Sequence, residues 1–148
     1  MKWLLDTSVV SETAKSAPDR KLVAWMASRS PDQLALSLVT LAELFAGVSQ
    51  IENSQKRSAF LGWIETEVIK SFENRVLPLT LEILTDWLAL ARQVQKRGAS
   101  RNAPDLLIAS TARVHNLILV SRNVKDFART GVVLYDPWSG KTHVMDAV

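Results

Sequence analysis

Four sets of polar residues stand at positions from which they could do chemistry together. Asp6 follows a short apolar run, Glu43 lies one turn beyond a second such run, and Asp105 opens a largely apolar helix. Asn123 and Asp126 follow a late apolar strand. In a parallel α/β sheet the carboxyl ends of the strands face one crevice, so these side chains are candidates for a single site.

Carboxylates that share a crevice need a counter-charge. Two of them about 4 Å apart repel by roughly 4 kcal/mol at an effective dielectric constant near 20, and three raise one another's pKa values. The chain has no cysteine, and His115 and His143 are not at metal-ligand spacing. An all-oxygen site favours hard ions such as Mg²⁺ or Mn²⁺, and the matching chemistry is metal-assisted hydrolysis of a phosphodiester.

Each of these residues also has a simpler interpretation, in which it only caps a helix. The acid after the first strand is a favoured capping residue. Glu43 stands three residues after Thr40, which is the capping-box spacing, and Asn123 and Asp126 repeat that spacing. Asp105 complements the dipole at the start of its helix. Taken singly, these interpretations explain the residues at least as well as a shared site does.

Composition limits the class of protein. The 148 residues suffice for one hydrophobic core, so we predict a single domain that spans residues 1–148. The absence of cysteine excludes disulfides and thiol nucleophiles and makes a reducing cytoplasm the expected location. The opening apolar run ends at Asp6, which is too early for a signal peptide or a membrane span. A net charge of +3 allows a polyanionic partner without requiring one.

Strand and helix signals alternate along the chain, which predicts a parallel sheet with helices on both faces. After the first strand, further strands are expected at residues 33–39, 75–79, 117–121 and 132–135. Thr40 is expected to cap the helix that follows the second strand. The tail from residue 136 onward shows no strong periodic pattern.

Other catalytic motifs fit poorly. The sequence has no glycine-rich nucleotide-binding loop. Ser8 and Ser121 do not lie in the G-x-S-x-G setting of a nucleophilic serine, so they are interpreted as caps or as hydroxyls that support other side chains.

Several motifs, in this order and at these separations, resemble those of the PIN-domain ribonucleases of the VapC toxin type: LLDTSVVSE, LVTLAEL, APDLLIASTA and VSRNVKDF. Three further stretches are similar to the FitB-like branch of that family: PDRKLVAWM, RVLPL and YDPWSG. The resemblance runs from Leu4 to about Trp138. It implies the α/β fold of a PIN domain, a central parallel β-sheet flanked by α-helices, with an acidic pocket that binds Mg²⁺ or Mn²⁺.

The resemblance also implies roles for residues at matching positions. Asp6 and Asp105 would be the main metal ligands and Glu43 the third acid, and together with Asn123 they would form the catalytic set. The family often has an aspartate where this chain has Asn123, whose amide can coordinate a metal but brings no charge. The supporting groups would be Thr7, Ser121 and Asp126.

The implied activity is endoribonucleolytic cleavage of RNA by the toxin of a type II toxin-antitoxin system. The implied partners are a second copy in a homodimer and a VapB- or FitA-like antitoxin, through which the complex would bind operator DNA. Trp63 and Trp87 are candidates for dimer contacts, with core packing as the alternative. Four cations near the presumed pocket rim would contact RNA phosphates, with a solvated surface as the alternative: Arg97, Arg101, Arg122 and Lys125.

Two other classes of function remain open at this stage. A PIN-like module weakened by Asn123 could bind RNA or a partner protein without cutting, and RNA binding that resists EDTA without cleavage would distinguish it. A phosphotransfer receiver domain also clusters acids at strand ends. It is disfavoured because no lysine is found at the end of a late strand, where such a domain would want one.

Overall fold

The computed structural model describes residues 1–98 and 102–147 of the chain. Strands and helices alternate within these residues, as the sequence predicts. The strands are β1 (Trp3–Leu5), β2 (Leu34–Ser37), β3 (Val76–Leu77), β4 (Ile118–Val120), β5 (Val133–Asp136) and β6 (Lys141–Val144). The helices are α1 (Thr7–Thr13), α2 (Arg20–Ala27), α3 (Leu38–Val48), α4 (Ser54–Trp63), α5 (Ile69–Ser71), α6 (Leu81–Lys96) and α7 (Ala103–Val114). A π-helical segment, Ile64–Val68, joins α4 to α5, and short 3₁₀ helices lie at Pro31–Gln33 and Val124–Phe127.

All six strands belong to one sheet, in the order β3-β2-β1-β4-β5-β6. Strands β1 to β5 run parallel, and β6 returns antiparallel to β5. The central strand β1 pairs with β2 and β4, so that Leu5 lies in register with Leu36 and Val120. The carboxyl ends of these three strands therefore open on the same edge of the sheet, and Asp6 follows the middle one.

Helices pack on both faces of the sheet. Successive side chains of a strand point to opposite faces, and in β1 Leu4 packs with buried residues of α6 and α7. Trp3 and Leu5 pack instead with buried residues of α1, α2 and the π-helical segment. Half of α7 is buried, including Ile108 and Ala109 with no exposed surface. This confirms the prediction of helices on both faces and anchors the start of α7 at the crevice.

Two details of the sheet and its helices differ from the predictions. The prediction that Thr40 caps the third helix is wrong: α3 begins at Leu38, and the buried Ser37 hydroxyl accepts a hydrogen bond from the Val39 N–H at 3.1 Å. The apolar pattern continues without a break from β2 into α3, so it does not mark the junction. Strand β6 was not predicted, because three of its four residues are exposed and show no apolar alternation.

Candidate functional site

Asp6 lies at the junction of β1 and α1 and is the N-cap of α1. Its Oδ1 accepts a hydrogen bond from the Thr7 N–H at 2.7 Å. Its Oδ2 accepts hydrogen bonds from the Ser121 hydroxyl at 2.7 Å and the Ser8 hydroxyl at 3.1 Å. The carboxylate is only 3% exposed, and this burial raises its pKa despite the three donors. Capping is therefore one part of its environment, and residues from two strand ends fix its orientation.

Glu43 reaches the same junction from α3. Its Oε1 accepts a hydrogen bond from the Thr7 hydroxyl at 2.6 Å, across 36 residues of sequence. Thr40 does not serve as the N-cap of α3, so the capping-box interpretation of Glu43 is wrong. Thr40 is fully buried, and its hydroxyl oxygen lies 3.5 Å from that of Thr7. Thr7 thus holds the second acid beside the first.

Asp105 lies in the first turn of α7. The Asn102 side chain caps this helix by accepting a hydrogen bond from the Asp105 N–H at 2.9 Å. The pKa of Asp105 is raised to about 6, first by burial and then by the negative charges of Asp6, Asp126 and Glu43. Three carboxylates from three other parts of the chain are therefore near enough to Asp105 for their charges to act on it. The acids that the sequence singled out lie in one region of the molecule.

The turn after β4 completes this region. The Asn123 N–H donates to the Ser121 hydroxyl at 3.0 Å, and the Asn123 side chain makes no capping hydrogen bond to the 3₁₀ helix that follows. The interpretation of Asn123 as a helix cap is therefore wrong. Asp126 lies in that 3₁₀ helix, with its charge near Asp105.

Sequence reasoning gave little weight to two residues that organise the region. Ser8 donates to Asp6 and also accepts a long hydrogen bond of 3.4 Å from the Arg122 N–H, so it links the β1 and β4 ends. Asn102 caps α7, and its position three residues before Asp105 was a signal that could have identified it. For Ser8, only its place two residues after Asp6 could have been a signal.

The oxygen atoms of these side chains suit a hard divalent cation, but the side chains are too far apart to bind one together as they stand. All their ligating atoms are oxygens, and a cation would remove the repulsion that raises the pKa of Asp105. Within residues 1–98 and 102–147, however, no three His, Asp or Glu side chains are grouped closely enough to hold one ion as they stand. Asp105 is thus close enough to the other acids to respond to their charges, but binding one ion would require the side chains to move closer together.

The four candidate RNA-binding cations have different settings. Arg122 directly follows Ser121, and Lys125 lies in the 3₁₀ helix that contains Asp126; both are exposed. Arg97 is exposed at the end of α6, and Arg101 lies outside the described residues.

The two tryptophans considered for dimer contacts are partly buried. Trp87 packs against one core cluster and Trp63 against the other, which agrees with the core interpretation of each. Among the helices of the described residues, none is long and apolar enough to cross a membrane.

Comparison with known proteins identifies the family. The family model described as the PIN domain matches residues 3–133. The chain is 33% identical to VapC ribonuclease Y4jK of Sinorhizobium fredii over 135 residues, which cover 91% of this chain and 96% of that protein. It is 30% identical to toxin FitB of Neisseria gonorrhoeae over 135 residues, which cover 91% of this chain and 97% of that toxin.

A solved structure gives the same result at the level of the fold. The structure of FitAB bound to an IR36 DNA fragment superposes with a TM-score of 0.83 at 29% identity, and the match covers 92% of this chain and 95% of that one. These similarities exclude the alternative that the chain is a phosphotransfer receiver domain. The match over most of the chain, together with the acids gathered at the end of β1, establishes that this protein belongs to the PIN domain family.

Proposed function

We propose that the protein is the toxin of a type II toxin-antitoxin system and acts as a metal-dependent endoribonuclease, with one PIN domain spanning residues 1–148. The observation that carries this proposal is the convergence of acids from separate parts of the chain after β1. Thr7 donates to Asp6 at 2.7 Å and to Glu43 at 2.6 Å, and Asp105 lies near enough for the charges of Asp6, Glu43 and Asp126 to raise its pKa. Such a cluster is costly unless it serves to bind a cation. The similarity to a VapC ribonuclease and to toxin FitB supports RNA cleavage as the use of that cation.

Asp6, Asp105 and Glu43 would hold the metal, Mg²⁺ or Mn²⁺. When bound, such an ion lowers the pKa of a coordinated water and neutralises charge that develops on the phosphate. The protein contributes the orientation of the ligands. The hydroxyls of Ser8 and Ser121 hold Oδ2 of Asp6, and the Thr7 hydroxyl holds Oε1 of Glu43.

Charge around the metal would be shared unevenly. Asp105, with a pKa of about 6, is mostly ionised at neutral pH even without a cation, so it is ready to bind one. Asn123 would contribute an amide oxygen without charge, and Asp126 would supply the negative charge that an aspartate at position 123 would otherwise bring. Arg97, Arg101, Arg122 and Lys125 would contact RNA phosphates around the acids and set the position of the strand, not its sequence preference.

The partners follow from the similarity to proteins solved as complexes. FitAB was solved on DNA, and we propose that this toxin likewise pairs with a VapB- or FitA-like antitoxin through which it reaches operator DNA. An antitoxin arginine placed against the acids would replace the cation as their counter-charge. We further propose a homodimer in the cytoplasm. Its support is the exposed apolar surface of α6, where Leu81 is 82% exposed and Leu88 is 49% exposed beside Trp87.

The proposal is tested with Asp6→Asn and Asp105→Asn, each of which removes one negative charge with little change of volume. We expect RNA cleavage in Mn²⁺ and growth inhibition on expression to fall below detection in both, while far-UV circular dichroism is unchanged. Glu73→Gln, at an exposed acid in the loop before β3, is the matched control and should keep full activity. Full activity in both aspartate variants would refute the proposal.

A second candidate is a PIN-like module that binds RNA or protein without cutting. It is favoured by Asn123 and by the absence, in the part of the chain that the structure describes, of three acids grouped tightly enough to hold an ion. It predicts that the purified protein binds single-stranded RNA equally well in EDTA and in Mn²⁺ and leaves the RNA intact in both. Cleavage that depends on Mn²⁺ would exclude it.

A further inference from the structure

We propose that Arg122 and Trp138 form a stacking platform for an unpaired nucleobase of the RNA beside the acidic cluster. This inference rests on the proposed function, because it assigns to the same crevice a contact with the base of its substrate. The guanidinium carbon Cζ of Arg122 lies 5.4 Å from the centre of the Trp138 ring. A guanidinium and an indole beside each other are two flat groups, and RNA bases commonly stack on both kinds of group.

The platform is next to the proposed metal ligands. The Arg122 N–H donates to the Ser8 hydroxyl at 3.4 Å, and that hydroxyl donates to Oδ2 of Asp6 at 3.1 Å. Residue 122 is therefore two hydrogen bonds from Asp6. A nucleotide whose phosphate lies at the acids would have its base or its neighbour's base within reach of the platform.

The tryptophan half of the platform is held in place by a short turn. Asp136 binds this turn with both carboxylate oxygens, since Oδ1 accepts from the Trp138 N–H at 2.9 Å and Oδ2 accepts from the Ser139 hydroxyl at 2.8 Å. The Gly140 N–H closes the turn by donating to the Asp136 carbonyl at 2.8 Å. Gly140 has a φ of 74°, which favours glycine. Such a fixed aromatic side chain loses little entropy when a base stacks on it.

The arginine half of the platform is exposed. Its charge lies near enough to Glu12 to contribute to the lowered pKa of that carboxyl, after the larger effect of Lys15. The guanidinium lies beside the Trp138 indole, and the residue as a whole remains exposed.

A second arginine-tryptophan contact in the molecule shows what a purely structural pair looks like. The Arg29 Cζ lies 5.4 Å from the Trp3 ring and 5.3 Å from the Trp25 ring, but these rings are only 8% and 7% exposed. Trp3 begins β1, at the opposite end of the strand from Asp6. Trp138 differs because it is only partly buried and its arginine lies at the crevice. The pair formed by Arg29 is therefore a matched control.

The experiment measures binding of single-stranded RNA without cutting, in a protein that carries Asp105→Asn. The probes are fluorescent oligoadenylate and an abasic ribose-phosphate strand of equal length. We expect the protein that carries Asp105→Asn alone to bind oligoadenylate more tightly than the abasic strand. Arg122→Ala or Trp138→Ala should weaken oligoadenylate binding roughly 5- to 100-fold, the range for one stacked base. Trp138→Ala should change the affinity for the abasic strand far less. Arg122→Ala also removes a proposed phosphate contact, so it should weaken binding of both probes, and that of oligoadenylate by the larger factor. Arg29→Ala should leave the preference for bases unchanged.

Several outcomes decide the matter. If Arg122→Ala and Trp138→Ala weaken both probes equally, the residues bind phosphate or maintain the fold, and the platform is wrong. If Trp138→Ala fails to fold by thermal melting, Trp138→Phe replaces it and should weaken oligoadenylate binding by a smaller factor, because its ring stacks less strongly. Unchanged affinity in Arg122→Ala and Trp138→Phe overturns the platform. The proposed function fails separately, if Asp6→Asn and Asp105→Asn both keep full cleavage activity.

Discussion

The Thr7 hydroxyl joins α1 to the acid on α3. It donates to Glu43 at 2.6 Å, and a hydrogen bond to a charged acceptor is worth roughly 1.5–3 kcal/mol. We predict that Thr7→Val, which keeps the shape and removes the donor, lowers kcat for RNA cleavage by about tenfold or more with a smaller change in KM. Thr7→Ser keeps the donor and should retain most of the activity.

The measurement is steady-state cleavage of a fluorescent RNA by both variants. Equal kcat in Thr7→Val and the parent would mean that Glu43 needs no orientation from Thr7. A loss in Thr7→Ser as large as that in Thr7→Val would contradict the role given to the hydroxyl, because Thr7→Ser keeps this donor and loses only the methyl group.

The raised pKa of Asp105 makes a prediction about stability. A carboxyl whose pKa is raised to about 6 in the folded state ionises less readily there than in the unfolded chain. Its ionisation therefore destabilises the fold above about pH 6, and this effect disappears as the pH falls towards its usual value of 3.8. In EDTA, Asp105→Asn should raise the free energy of unfolding at pH 7.5 by about 1 kcal/mol, a figure reduced for screening at a half-exposed group.

Urea unfolding of the parent and of Asp105→Asn at about pH 7.5 and about pH 4.5 checks this sign. The difference in the free energy of unfolding between the two proteins should be smaller at the lower pH. A variant that is less stable than the parent at both values would show that Asp105 is held by favourable contacts and not opposed by neighbouring acids.

The sequence predicted those site residues that could be recognised from their residue type and their position near the end of a strand or helix. Asp6, Glu43 and Asp105 were selected because each is an acid near a predicted strand or helix end, and the structure places all three in one region. Ser8 and Trp138 contribute through geometry across the fold, which residue type does not reveal. A serine two residues after an acid is common in helix caps, and a late tryptophan is usually core.

At the level of elements, Arg75 stabilises the edge of the sheet formed by β3 and β2. Its guanidinium donates to the carbonyls of Pro31, Ser71 and Leu34, the last at 2.7 Å, and lies 5.1 Å above the Phe72 ring. One side chain thus joins the end of α5, the 3₁₀ turn and the start of β2. This fork of donors explains how the two-residue strand β3 is held against β2.

Arg75→Ala should therefore lower the free energy of unfolding by roughly 2 kcal/mol, because several carbonyls lose their donor. Arg57→Ala is the matched control, since Arg57 is exposed and makes one hydrogen bond to the Ile51 carbonyl. That control should cost less than about 0.5 kcal/mol. Thermal or urea unfolding of both variants measures the difference, and equal losses would contradict the role given to Arg75.

Elements were predicted well where burial forces a pattern and poorly where it does not. The strands β1 and β4 are covered on both faces and appear in the sequence as apolar runs. Strand β6 pairs only with β5 and exposes most of its residues, so its hydrogen bonds leave no apolar signature. The start of α3 was misplaced because Leu38 and Val39 prolong the apolar run of β2.

At the scale of the whole molecule, strand order brings distant residues together. Because β1 lies between β2 and β4, the residues that follow these strands meet at one edge, although Asp6 and Ser121 are 115 residues apart in sequence. Parallel connection makes this convergence predictable in outline. The distances within it are set by hydroxyls and caps, which the sequence pattern does not fix.

The most direct test of the central claim is to locate the cation. A crystal of the protein soaked in manganese chloride and recorded at the manganese absorption edge gives an anomalous difference map that marks bound Mn²⁺. We predict a peak in contact with the carboxylates of Asp6 and Asp105 and close to that of Glu43, and no such peak in Asp105→Asn. Mn²⁺ bound elsewhere, with none between these carboxylates in a preparation that cleaves RNA, would contradict the account.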